Sequence, residues 1–174
     1  MHASQAPSPW IVRFLALTAP GGSALDVAAG SGRHSRLLLE HGLAVTALDR
    51  DPDQQPDAPG LSKIRCDLED GSPWPPPGRR FDLVLVTNYL HRPILPEIIG
   101  AVAPGGLLLY ETFARGNERF GKPRNPDFLL RPGELAAAVA GHLEILAFED
   151  LELGPPRPAV IQHIAARRPR SLKT

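Results

Sequence analysis

The chain has 174 residues, 43% of them hydrophobic and 22% charged, a size that suits one domain around a single core. Its 19 basic and 19 acidic residues cancel, so composition indicates a basic surface neither for nucleic acid nor for an anionic membrane. The lone cysteine, Cys66, excludes an internal disulfide and cannot form a zinc site by itself. We find no apolar signal core and no membrane-spanning run, and we therefore expect a cytoplasmic protein.

Short apolar runs alternate along the chain with segments of helical character, which predicts an α/β fold. We expect helices at Pro9–Thr18, Arg33–His41, Pro93–Val102 and Pro132–Ala140. We expect strands at Ala24–Val27, Ala44–Leu48, Lys63–Cys66, Phe81–Thr87, Leu107–Glu111, Leu143–Leu151 and Ala159–Ala165. The last two strands are separated only by Gly154-Pro-Pro-Arg-Pro, which is too short for a parallel crossover. The prediction is a doubly wound, seven-stranded, mostly parallel sheet with a C-terminal antiparallel hairpin, in one domain over residues 1–174.

The first predicted strand leads into a turn of small residues and then into a helix. Ala28, Gly30 and Gly32 let a ligand approach the backbone, which a larger side chain would prevent. The helix start offers unpaired N–H groups, and the carboxyl ends of parallel strands are where such sheets bind ligands. We therefore expect a nucleotide-like ligand at residues 28–34. His34 suits a ligand contact and a surface position in the first helical turn equally well.

Two nucleotides fit this turn. The dinucleotide pattern G-x-G-x-x-G lacks its third glycine, because Ser35 stands there, and this argues against NAD. Asp26, before the glycines, could hold the ammonium group of an amino-acid moiety. Asp49, after the second strand, can accept hydrogen bonds from both hydroxyls of a ribose, which by itself does not separate the two ligands.

Residues 24–111 resemble a class I S-adenosylmethionine-dependent methyltransferase. The resemblance rests on the glycine loop, with Ala28 in the place of the usual first glycine, on Asp49, on Cys66-Asp67-Leu68, on Phe81–Leu90 and on the turn Pro104-Gly-Gly before strand five. It implies a Rossmann-like methyltransferase fold and S-adenosylmethionine as cofactor, with Asp67 holding the adenine amino group. The cofactor-binding residues that we expect are Asp26, Ala28, Gly30, Gly32, His34, Asp49, Arg50, Asp67, Leu68 and Asn88.

Within that superfamily the chain is most similar to small tellurite-resistance-type methyltransferases. This resemblance implies a small acceptor and hints at an anionic or soft nucleophile. A small-molecule substrate is therefore expected, with no nucleic acid, no membrane and no metal ion involved. Two alternatives stay open, a nicotinamide-dependent oxidoreductase and a non-catalytic module that binds S-adenosylmethionine.

The loop after strand four supplies the candidate catalytic residues, Tyr89 and His91. His91 has a reference pKa near neutrality and could act as a general base, or it could simply open the next helix as a polar residue. Asn88-Tyr89-Leu90 does not match the Asn/Asp-Pro-Pro-aromatic motif of nucleic-acid amine methyltransferases.

The loop after strand five is long and rich in basic residues. It carries Arg115, Arg119, Lys122 and Arg124. We expect either a lid with a basic lining suited to an anionic acceptor, or a solvated loop stiffened by proline.

Overall fold

The computed structural model describes residues 6–171, which form one seven-stranded sheet with helices on both faces. The strands run in the order β3-β2-β1-β4-β5-β7-β6, and all are parallel except β7, which is antiparallel to both β5 and β6. The strands are β1 Ser23–Val27, β2 Ala44–Asp49, β3 Leu61–Arg65, β4 Phe81–Thr87, β5 Val102–Phe113, β6 Glu144–Leu153 and β7 Ala159–Arg167. The helices are α1 Pro9–Leu15, α2 Arg33–Glu40, α3 Leu95–Gly100 and α4 Glu134–Val139.

Two apolar cores cover the two faces of the sheet. Along β4, Leu83 and Leu85 belong to the core under α1 and α2, while Val84 and Val86 belong to the core under α3 and α4. All four side chains are fully buried, as expected of a central parallel strand whose near-continuous apolar run is covered on both sides. The expected doubly wound sheet and its C-terminal hairpin are confirmed.

Strand five is longer than the sequence predicts. Pro104–Gly106, expected as a turn before the strand, lies inside it, where the pairing with β4 shifts register. Gly105 has a φ of 76°, and a Cβ on Gly106 would lie 2.9 Å from the carbonyl oxygen of Phe81. The two glycines therefore make an irregularity within β5, and the expected turn is wrong.

The connections on either side of β3 contain little helix. A single 3₁₀ turn, Pro52–Gln54, follows β2, and residues 66–80 between β3 and β4 form a proline-rich loop. Within residues 6–171, none of the helices has the length and apolar character needed to cross a membrane.

Candidate functional site

The first cavity lies at the carboxyl ends of the four parallel strands β1 to β4. Its volume is about 150 Å³, and its walls come from Ala28 after β1, Asp49 and Arg50 after β2, residues 66–69 after β3, and Tyr89 after β4. This is the edge at which open α/β sheets bind their ligands. Five of the predicted cofactor-binding residues line this cavity, namely Ala28, Asp49, Arg50, Asp67 and Leu68.

The glycine loop between β1 and α2 takes left-handed backbone at three positions. The φ angles are 54° at Ala28, 58° at Gly30 and 81° at Gly32. Ala28 adopts this conformation although it has a Cβ, a cost that folds typically retain only at functional sites. Gly32 caps α2, and a Cβ there would overlap the buried side-chain amide of Gln55.

Asp49 fastens the glycine loop to the end of β2. One carboxylate oxygen accepts the Gly30 N–H at 2.8 Å, and the other accepts the Asp51 N–H at 2.9 Å. Each oxygen keeps a lone pair for a further donor, such as a ribose hydroxyl. Across the cavity, Asp67 accepts the Glu69 N–H at 2.9 Å and so shapes the loop after β3.

Asp26 lies behind the glycine loop and does not line the cavity. Its carboxyl group is 1% exposed and accepts a hydrogen bond of 2.7 Å from the Ser35 hydroxyl. Burial raises the pKa of Asp26 to about 7, against the lowering effect of the Ser35 hydroxyl. The group therefore changes charge near neutral pH.

The loop after β4 carries the two predicted catalytic residues to different surroundings. Tyr89 borders the first cavity, and its hydroxyl donates to Glu69 at 3.2 Å. Burial, together with the charge of Glu69, raises the pKa of Tyr89, so its phenol stays protonated. His91 lines neither this cavity nor the one described next. Asn88 has a φ of 53° and donates its N–H to the Glu111 carbonyl at 2.9 Å.

A second cavity of about 230 Å³ adjoins the first. It is lined by residues 88–90, by Thr112 and Phe113 at the end of β5, by Pro123 and Phe128 of the following segment, and by Glu69. Glu69 and Tyr89 belong to both cavities, so they form a shared wall. Two cavities that adjoin at shared lining residues can hold parts of two molecules side by side.

The segment after β5 covers the second cavity without supplying a basic lining. A bridge between Ala114 and Leu130 ties it to the sheet. Arg119 donates at 2.7 Å to Glu152 of β6 and stacks on Phe120. Of the two alternatives that the sequence leaves open for this segment, the basic lining is not found at this cavity, whose described lining contains no Arg or Lys.

A row of polar side chains that sequence reasoning missed crosses the same end of the sheet. Thr87, Glu111, His163 and Glu149 occupy paired positions on β4, β5, β7 and β6. His163 contacts Glu111 at 3.0 Å through Nδ1 and Glu149 at 2.6 Å through Nε2. Burial lowers the pKa of His163, but the two carboxylates outweigh it and the net shift is upward. The only available signal was a charged or polar residue inside each of these apolar strands.

This polar row holds the N-terminal segment over the glycine loop. The Ser8 hydroxyl donates to Glu111 at 3.0 Å, and the Ser8 N–H donates to Nε2 of His34 at 3.1 Å. Trp10 stacks on the His163 ring, with centroids 3.6 Å apart. His34 is 2% exposed, and burial lowers its pKa to about 4, so its imidazole is neutral. The structure thus places His34 between Ser8 of the N-terminal segment and Thr87 at the end of β4. Within residues 6–171, no three His, Cys, Asp or Glu side chains converge to hold a metal ion.

One family model matches the chain, and solved structures of methyltransferases share its fold. A family model described as "Methyltransferase domain" matches residues 2–173. The crystal structure of TehB from Haemophilus influenzae has a TM-score of 0.71 and 20% identity, over 96% of this chain and 64% of that one. The N-methyltransferase NodS from Bradyrhizobium japonicum WM9 has a TM-score of 0.68 and 16% identity, over 91% and 94%.

A third structure of the same fold is the Burkholderia thailandensis 1,6-didemethyltoxoflavin-N1-methyltransferase, which holds 1,6-didemethyltoxoflavin and S-adenosylhomocysteine. Its TM-score is 0.63 and its identity 20%, over 91% of this chain and 75% of that one. The chain spans less than two thirds of the length of TehB. A search of curated protein sequences found no match.

Proposed function

The chain belongs to the methyltransferase-domain family, and on that premise we propose that it transfers a methyl group from S-adenosylmethionine to a small molecule held in the second cavity. The observation that carries this proposal is the wall shared by the two cavities, formed by Tyr89 and Glu69. Because these two side chains line both cavities, a donor in the first cavity and an acceptor in the second would come into contact beside them. Proximity and alignment are what a transfer from an activated donor mainly requires.

The residues of the first cavity fit S-adenosylmethionine. Hydrogen-bond donors on the cofactor are its ribose hydroxyls, its adenine amino group and its ammonium group. Two carboxylates of the cavity lining, Asp49 and Asp67, can accept from them. We assign the ribose to Asp49 and the adenine amino group to Asp67, with Arg50 and Leu68 beside them. Asp26, which is buried behind the loop, acts on the ammonium group through the loop or an ordered water.

When bound, the cofactor supplies a methyl group on a positively charged sulfur. Tyr89 stays protonated, so it acts in positioning by hydrogen bonding and not as a general base. His91 lines neither cavity, so a role for it as a base requires the loop after β4 to rearrange. Asn88, held in left-handed backbone, presents its amide group to the second cavity. The geometry therefore favours an acceptor that attacks without prior deprotonation by the protein.

The test is calorimetry with S-adenosylmethionine, S-adenosylhomocysteine and NAD. We expect both sulfur nucleosides to bind and NAD not to bind. Asp49→Ala should weaken S-adenosylhomocysteine by about 1.5–3 kcal/mol, or roughly 10- to 150-fold, as for hydrogen bonds to a charged group. The matched control is Asp57→Asn, which changes an exposed carboxylate paired with Lys63 and should leave the affinity unaltered.

NAD binding without a response to either sulfur nucleoside would overturn the proposal in favour of an oxidoreductase. Binding of S-adenosylmethionine without any transfer to a broad acceptor panel would favour a module that only binds it. Equal loss of affinity in Asp49→Ala and Asp57→Asn would move ribose recognition to other residues.

A further inference from the structure

We propose that the second cavity selects a small, flat amine, whose N–H groups bind the Glu69 carboxylate, and that it rejects oxyanions. This inference rests on the methyl-transfer function proposed above and names the class of its acceptor. It departs from the anionic acceptor that the sequence suggested. Three features of the cavity lead to it, namely its charge, its apolar walls and the free hydrogen-bonding capacity of Glu69.

The charge of the cavity comes from one group. Glu69 is the charged residue in the described lining, and the remaining polar groups are the Asn88 amide and the hydroxyls of Tyr89 and Thr112. A carboxylate attracts a protonated amine and repels an oxyanion, and a site built on such repulsion discriminates between the two. An anionic acceptor would have no cation to replace its hydration.

The basic residues of the segment after β5 do not neutralise the negative charge of Glu69 in the cavity. Arg119 carries its guanidinium to Glu152, which is not part of the cavity lining, and also donates to the Gly116 carbonyl at 3.0 Å. The other three, Arg115, Lys122 and Arg124, are outside the cavity lining as well. The segment contributes Pro123 and Phe128 to the cavity instead.

The walls favour a ring. Leu90, Phe113, Pro123 and Phe128 surround a volume of about 230 Å³, which is below the usual range for drug-sized ligands and suits a one- or two-ring molecule. Phe128 is 44% exposed, so a ring packed against it would gain by covering it. Aromatic faces also attract cations, which adds to the preference set by the carboxylate.

Glu69 is held in place by two hydrogen bonds, but its carboxylate can still accept further ones. Its N–H binds Asp67, and one carboxylate oxygen accepts from Tyr89 at 3.2 Å. A carboxylate has about four lone-pair positions, so it can accept an amine N–H as well. The bound ammonium first loses one proton to solvent. The lone pair of the resulting neutral amine then forms the new bond to carbon, and the carbon–sulfur bonding pair stays on sulfur. The product ammonium then releases one proton to Glu69 or to solvent.

The experiment uses matched probes on the protein saturated with S-adenosylhomocysteine. The probes are 2-phenylethylamine and 3-phenylpropionate, which share a ring and differ in charge, together with tellurite. Saturation-transfer NMR at millimolar concentration should detect the amine and not 3-phenylpropionate. Tellurite, which has no protons to observe, should fail to displace the bound amine. Glu69→Gln should weaken the amine about three- to tenfold, the range for a partly exposed ion pair with its hydrogen bond. The control Glu40→Gln removes an exposed acid of α2 outside the cavity and should leave amine binding unaltered.

A second variant neutralises the charge of the cavity lining without changing Glu69. Phe128→Arg places a cation at an exposed position of the same lining and should admit the carboxylate at the expense of the amine. Absence of amine binding, or preferential binding or methylation of 3-phenylpropionate or tellurite by the unmodified protein, would overturn the inference. Those outcomes leave the proposed function standing as long as S-adenosylhomocysteine binds. Failure of S-adenosylhomocysteine to bind would refute the proposed function itself.

Discussion

Gly32 combines two demands that can be separated by experiment, left-handed backbone and close packing. Its φ is 81°, and a Cβ would overlap the Gln55 amide. Gly71 has nearly the same φ, 80°, but a Cβ there would meet no neighbouring atom within 4 Å. We expect Gly71→Ala to cost about 1–2 kcal/mol, the usual penalty for left-handed backbone. Gly32→Ala should cost more in urea unfolding and should also weaken S-adenosylhomocysteine in calorimetry.

A double variant checks the packing part of this prediction. Because Gln55→Ala removes the side chain that the new Cβ would meet, the combination with Gly32→Ala should recover part of the lost stability. Equal costs for Gly32→Ala and Gly71→Ala, with no recovery in the double variant, would show that packing at Gln55 is unimportant.

The buried carboxyl of Asp26 gives the molecule a predictable pH dependence. Its pKa is 3.8 in the reference state and about 7 in the folded chain, so the folded state binds the proton more tightly. The resulting stabilisation is complete below about pH 4 and is lost as pH rises through about 7. We therefore expect the free energy of unfolding of the wild type, relative to Asp26→Asn, to fall over that range.

Urea unfolding of both proteins between pH 4 and 8 measures this difference, and other titrating groups cancel in the comparison. A difference that stays constant over the range would place the pKa of Asp26 near its ordinary value. S-adenosylhomocysteine carries an ammonium group, so its binding should pull Asp26 toward the ionised form and release a proton. Calorimetry in two buffers of different ionisation enthalpy would detect that release.

At the scale of elements, the polar row across β4, β5, β7 and β6 joins the edge of the sheet to α1. Although burial opposes the shift, Glu111 and Glu149 raise the pKa of His163, so its imidazolium stabilises the folded state. The contribution is complete below the ordinary pKa of 6.5 and is lost as pH rises through the folded value. We expect the stability advantage of the wild type over His163→Gln to shrink as pH rises above 6.5.

Trp10 offers a second readout, because its ring stacks on His163 at 3.6 Å. In a Trp74→Phe background, Trp10 fluorescence should titrate with the pKa of His163, and His163→Gln should abolish the titration. If the fluorescence of Trp10 did not change with pH while His163 is present, the protonation of His163 would not affect the stacked Trp10 ring.

The same elements show which features of the fold were predictable from sequence. The antiparallel hairpin followed from Gly154-Pro-Pro-Arg-Pro, because a connection that short permits one pairing. The irregularity at Pro104–Gly106 could not be predicted in this way. A proline–glycine–glycine run indicates a turn unless the pairing of the neighbouring strand is known. The polar row joins Glu111 to a residue 52 positions away, and only strand register places His163 beside it.

At the scale of the whole molecule, the sequence predicted most of the residues that line the first cavity but not those that line the second. The residues that line the first cavity follow strand ends, so a strand prediction brings Asp49 and Asp67 to one edge of the sheet. The second cavity depends on how a long segment folds back. The basic residues of that segment suggested a basic lining. In the structure, one of them, Arg119, pairs with Glu152 outside the cavity.

Cofactor binding should slow the motions of the loops after β1 to β4 and leave those of strand β6 unaffected. The first cavity draws on loops after β1 to β4, whereas the outer strand β6 contributes nothing to either cavity. We expect S-adenosylhomocysteine to slow hydrogen exchange at residues 28–32, 49–51 and 66–69. Amides of β6 that exchange by local opening should keep their rates, because the ligand does not alter that opening.

Ligand binding should also stabilise the whole folded chain, and this stabilisation can be compared with the local slowing of hydrogen exchange. At a concentration 100 times Kd, S-adenosylhomocysteine should stabilise the folded state by about 2.7 kcal/mol. For a chain of this size, that stabilisation corresponds to a rise in Tm of about 5–10 °C. Asp49→Ala should reduce both the rise and the local protection, while Asp57→Asn should preserve both. Protection in β6 as strong as that in the glycine loop would mean that the ligand acts on the whole sheet and not on the strand ends.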